Sequence, residues 1–114
     1  MGILNTGVEK LIDLLSDNLT QGECGTGTST VTKGDTGLDE AQGATLKTLS
    51  NNTSGNLLTT SFTILSTEGN GLSFTEFGNL FSTGEFLARI RHTPIAKDNT
   101  KEFTFVLTFE ISAS

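Results

Sequence analysis

The chain has no Trp and no Tyr, and only one Pro, one Cys, one His and one Met among its 114 residues. Without indole or phenol rings, its eight Phe are the only aromatics, so the core is built from Phe, Leu and Ile and no aromatic carries a polar handle. The same lack removes the flat Trp and Tyr faces on which sugars usually stack. A single Cys cannot close an intramolecular disulfide, and with one His there is no Cys/His cluster to hold zinc, so no metal and no cofactor are indicated. Cations are scarce as well. Seven Lys and Arg against thirteen Asp and Glu leave a net charge of −6, which excludes sequence-independent nucleic-acid binding and disfavours an anionic membrane. The opening MGILNTGVEKLIDLLSDNLT lacks both a basic segment and a continuous apolar run, so neither a signal peptide nor a membrane span is expected, and the chain reads as made and folded in a cytoplasm.

What the chain has in quantity is Thr and Ser, 20 and 10 residues, a composition that favours β-structure in a single domain. Val8, Leu11, Ile12 and Leu15 recur at helical spacing, and Thr6 followed by Glu9 predicts a capping box, giving a helix over about 6–18. Its apolar stripe is narrow, so these four residues are candidate interface positions, against the chain's own sheet or against a neighbouring subunit. Residues 1–20 thus read as an amphipathic N-terminal segment and 21–114 as one β-domain with a long Gly/Thr-rich loop at 25–37. Strands are predicted at 44–50, 57–67, 72–80 and 85–93, with NNTSGN, Glu68–Gly71 and Ser82–Gly84 as turns. On 72–80, Leu72, Phe74 and Leu80 share one face with Phe77 on the other. On 85–93, Phe86, Ala88 and Ile90 alternate with Leu87, Arg89 and Arg91, which makes Arg89 and Arg91 outward-facing interface candidates. The last strand alternates Phe103, Phe105, Leu107, Phe109 and Ile111 inward against polar residues, and so long an apolar face predicts a strand paired on both sides. Antiparallel hairpins with one helix and no βαβ spacing give an all-β, mainly antiparallel class, a β-sandwich or jelly-roll-like domain.

The residues point to no catalytic site. His92 lies in register with Phe86, Ala88 and Ile90, and spacing places no nucleophile beside it. Cys24 has no base near it in sequence. In GTGTSTVTKG, Thr32 precedes Lys33 where a phosphate-binding loop needs Gly. Asp35, Asp39 and Glu40 lack the alternating spacing of a calcium loop and read as solvated acids. A non-enzymatic role is expected.

Three stretches carry a resemblance: VEKLIDLLSDNL, GTGTSTVTKGDTGL, and LSFTEFGNLFSTGEFLARIRHTPIAKDNTKEFTFVLTFEI. In this order they resemble a family of small virion structural proteins of tailed phages and related prokaryotic viruses, most specifically through Phe74–Phe81 with Leu87-Ala88-Arg89. An extra Asn79 interrupts the usual run there. The resemblance implies a virion component, capsid decoration or cement or tail- or fibre-associated, made in the host cytoplasm. It implies as partners copies of itself, a trimer foremost, and other virion proteins such as the major capsid or tail protein. It brings no catalytic residues. The other class open to such a fold is a small ligand- or carbohydrate-binding module.

Overall fold

The computed structural model describes residues 2–112. Helix α1 (Asn5–Asn18) leads directly into β1 (Leu19–Gly25). After a long loop and a 3-10 turn at Gly43–Thr45 come β2 (Lys47–Thr48), β3 (Ser50–Ser54), β4 (Leu57–Ile64), β5 (Ser73–Phe81), β6 (Phe86–Ala96) and β7 (Phe103–Glu110). Every pairing is antiparallel, in one sheet of order β2-β1-β5-β6 and another of order β3-β4-β7. The two sheets pack as a small β-sandwich, the class that the Thr content and the alternation predicted.

Strict alternation on β4 turns Leu58, Thr60, Phe62 and Ile64 inward. Phe62 lies 5.3 Å from Phe105 and 6.2 Å from Phe77, and Phe77 lies 5.0 Å from Phe105, so three rings join the two sheets at the centre of the core. Gly22 on β1 faces the Phe62 ring, which occupies the space a Cβ would need. α1 belongs to this core. Val8 and Ile12 are buried, Leu15 packs against the core cluster, and Leu11 stays exposed. Asn51 of β3 donates to Ser16 O at 3.0 Å and Leu19 O at 2.7 Å, tying the end of the helix to the second sheet.

Several expectations are corrected. The helix starts at Asn5 with Leu4 at the cap, and Val8 N–H donates to Leu4 O. Thr6 therefore sits inside the first turn, where it cannot form the predicted capping box; burial of Val8 and Ile12 sets the helix instead. Ser50–Ser54 is a strand, although NNTSGN reads as a turn; only Gly55 and Asn56 turn, with Gly55 supplying the positive φ (58°) that a two-residue hairpin demands at its first position. Register shifts between Phe74 and Glu76 and between Asn79 and Leu80 interrupt the β5–β6 pairing, the second with its extra residue, Leu87, on β6. Phe74 consequently joins Phe77 in the same core cluster. Across the second bulge Leu80 pairs with Phe86 and Asn79 with Ala88, so Phe86 leaves the face of Ala88 and Ile90 and packs near Gly78 and Gly37 on the other side of the sheet. β7 pairs only with β4 and ends its sheet, in place of the two-sided pairing predicted; its inner face is covered by the opposite sheet, which requires no second lateral neighbour.

Because Ile12 is wholly buried and Leu11 is half-exposed on the same helix, Ile12→Ala is expected to cost about 2–5 kcal/mol and Leu11→Ala less than about 0.5 kcal/mol in urea denaturation. A helix docked outside the fold would give equal, small losses for both.

Candidate functional site

β5 is buried along almost its whole length, which requires cover on both faces. The inner face has the second sheet. On the outer face, cross-strand pairing sets Glu76 opposite Gly25 of β1 and Arg91 of β6, and Gly78 opposite Glu23 and Arg89. Residues 26–42 fold back over this surface, and Ala41 forms a bridge with Gly25. The segment is low in apolar side chains, so polar contacts hold it.

Glu76, fully buried, is the centre of those contacts. Its Oε2 accepts from the backbone N–H of Gly27 at 2.8 Å and of Glu40 at 2.9 Å. Its Oε1 accepts from Asp39 N–H at 2.9 Å and from Arg89 Nε at 2.7 Å. Arg89 completes its own fork by donating to Asp35 Oδ2 at 3.0 Å and Ser29 O at 2.8 Å. Thr75 donates its hydroxyl to Gly27 O. Further out, Asp39 Oδ2 accepts from Thr28 and Ser29 N–H, and Asp35 accepts from both N–H and hydroxyl of Thr32. One carboxylate thus gathers both ends of the loop, and one guanidinium holds its middle.

Close approach dictates the glycines. A Cβ on Gly25 or on Gly27 would lie 2.5 Å from Glu76 Oε2, and one on Gly78 would lie 2.6 Å from Ala88 O. The G-T-G-T and T-E-F-G stretches are therefore two halves of one packing arrangement.

Burial pushes the Glu76 carboxyl up more than any other single effect, but three backbone N–H donors and the Arg89 guanidinium together outweigh it and hold the group below its ordinary value of 4.5. Asp35 is also lowered, first by the Thr32 N–H, then by its hydroxyl and by Arg89. Glu76 raises Arg89 further, so the pair stays charged. Both Glu76 oxygens and all three Arg89 nitrogens are engaged, which leaves no free acid, base or nucleophile. The chemistry of the cluster is that of a latch.

Of the interface candidates, Val8 and Ile12 are in the core and Leu15 is half-buried against it. Arg89 does face outward from its sheet but is buried under the loop, which corrects its reading as an exposed position; Arg91 and Leu11 remain exposed. Asp35, Asp39 and Glu40 are likewise bound within the loop, and Glu40 accepts from the Thr26 hydroxyl. Cys24 is wholly buried, and burial, reinforced by the Glu23 charge, pushes its thiol up to about 12. His92 packs its ring 6.0 Å from Phe77 and 5.9 Å from Phe105 as an edge residue of the core. Glu76 was not singled out by sequence, because the donors that make it a site come from a loop remote in the chain. No family model matches the chain, and no curated protein or solved structure matches it either.

Glu76→Gln keeps the shape and removes the charge, leaving Arg89 with only the half-exposed Asp35 as counter-ion; a loss of about 3–5 kcal/mol is expected in denaturation, as for a broken buried ion pair. Because folding lowers the pKa of Glu76 and Asp35, their stabilisation is fully present above the ordinary carboxylate range and is lost as pH falls through it toward the folded values. Wild-type stability should therefore drop between about pH 5 and pH 3, and less steeply in Glu76→Gln. Cys24 should resist alkylation in the folded protein at pH 8 and react at once in urea.

Proposed function

We propose that the chain is a non-enzymatic structural component of the virion of a tailed phage or related prokaryotic virus, a capsid decoration or cement protein or a tail- or fibre-associated protein. It is made in the host cytoplasm and works as a homo-oligomer bound to other virion proteins such as the major capsid or tail protein. The observation that carries this reading is the fit between the most specific stretch of the resemblance and its loop stretch. Gly27 and Asp35 of the loop stretch and Glu76 and Arg89 of the hairpin stretch close on each other in a single latch, which Asp39, the residue just after the loop stretch, completes. Residues kept together for such a purpose maintain shape, and shape is what a repeated particle component supplies. The same latch leaves the exposed flank of the loop, with Val31, and the exposed Leu11 and Leu14 of α1 available for contacts outside the chain.

The reading is tested on particles of the virus that encodes the chain. Mass spectrometry of purified particles should find it at a stoichiometry matching a symmetric multiple of the major capsid or tail protein, and electron microscopy should place its sandwich on the particle surface. Absence of the chain from intact, infectious particles would overturn the proposal.

A further inference from the structure

Four strands end the two sheets laterally, and three of them are protected against pairing with other chains. β2 has only two residues. β3 is a short polar run tied to α1 through Asn51. β6 carries Pro94, the exposed Arg91 and the bulged pairing with β5. β7 has none of these devices. Its register against β4 runs without a break from Phe103 to Glu110, with no Pro, Lys or Arg. Ile111 N–H donates to Asn56 O in the same register, and this fixes which groups face which way. Residues 103, 105, 107 and 109 bond to β4, whereas Thr104, Val106, Thr108 and Glu110 turn their N–H and C=O to the open edge. Val106 is 56% exposed, more than any other large apolar side chain on a strand. Phe103, Leu107, Phe109 and Ile111 are only partly buried, and at the Phe103 end of the strand Phe77, Pro94 and Ile95 form an apolar groove with Phe103 and Phe105.

We propose that this edge pairs with β7 of a second copy of the chain, antiparallel about a two-fold axis through Leu107. That register pairs Thr104 with Glu110 and Val106 with Thr108, so every open backbone group of the strand finds a partner. On the inner face it sets Phe105 against Phe109 and Phe103 against Ile111, which covers the side chains the monomer leaves half-exposed. Charge permits a second copy here and selects the register. The chain carries −6 overall, yet nothing charged lies between Phe103 and Phe109, so two copies meet here without the repulsion their surfaces otherwise carry. An axis through Val106 would set Glu102 against Glu110, and a parallel pair would set Glu110 beside Glu110. The contact is two-fold, so a trimer would need another surface; it holds whether or not the chain is a virion component.

Light scattering behind size exclusion, up to millimolar chain, should find a dimer, and hydrogen exchange should protect the amides of Thr104, Val106, Thr108 and Glu110 in it. Val106→Pro removes a donor from the open edge and none from the β4 ladder, so the variant should fold and stay monomeric. Val106→Lys, which leaves the backbone intact, should do the same and decides the matter if the proline variant fails to fold. A wild-type monomer at millimolar concentration would overturn the proposal. So would a dimer or trimer that survives Val106→Lys, or one whose edge amides exchange freely.

Discussion

A carboxylate taken wholly out of water costs several kcal/mol unless its lone pairs are filled, and the way Glu76 meets that cost organises the fold around it. Filling it takes donors, and the chain supplies three loop N–H groups and one Arg fork. Those N–H groups belong to a segment too poor in apolar residues to pack by itself, so each side solves the other's problem. The loop covers the outer face of β5, and Glu76 satisfies a backbone that would otherwise need water. Bringing main chain that close to an oxygen leaves no space for side chains at Gly25 and Gly27. Glycine at these two positions follows from the anchor.

The rest of the molecule repeats this economy at smaller scale. With hydrophobic residues at 34%, the inner core is a cluster of Phe, Leu and Ile around three rings, and junctions between elements are closed by single polar side chains. Asn79, buried at a bulge, donates to Thr60 Oγ1 at 2.6 Å and so links the two sheets. Thr45 accepts from Cys24 N–H and donates within its own turn, fixing the end of the loop onto β1. Lys97 is buried with its ammonium on Ser66 O, Asn70 Oδ1 at 2.8 Å and Asp98 O at 2.9 Å, which ties the turn before β5 to the end of β6. Each such group would be costly if its partners were lost, and together they specify one arrangement.

The legible part of the fold was the part governed by period. β7 and β4 keep strict alternation over eight residues each, and their inward faces are those the sequence marks. Where the period breaks, legibility breaks with it. One irregularity in the β5–β6 pairing brought Phe74 onto the side of Phe77, and a second, with its extra residue on β6, sent Phe86 under the loop; nothing local in those residues announces either. β3 escaped notice because a polar edge strand and a turn share a composition. The latch was hidden for a different reason. Alternation turns Arg89 outward, and outward normally means solvent, whereas it sets Glu76 on the face of Leu72 and Phe74; the irregularity between Phe74 and Glu76 and the return of a segment about fifty residues earlier in the chain are facts of the tertiary fold without a local signature.

β5 is consequently covered on both faces, by aromatic packing inside and by the latch outside. A perturbation of either face reaches the other through a few bonds of one strand, which makes β5 the place where the sandwich and its loop are mechanically one body. Everything held this tightly is spent on holding shape: the buried acid, base and thiol are paired, saturated or shielded. The groups still able to interact lie at the periphery, on the open edge of β7, the exposed side of α1 and the crest of the loop. The interior holds those exposed surfaces in fixed relation to one another, because each is attached to a strand or helix that the core and the latch lock in place.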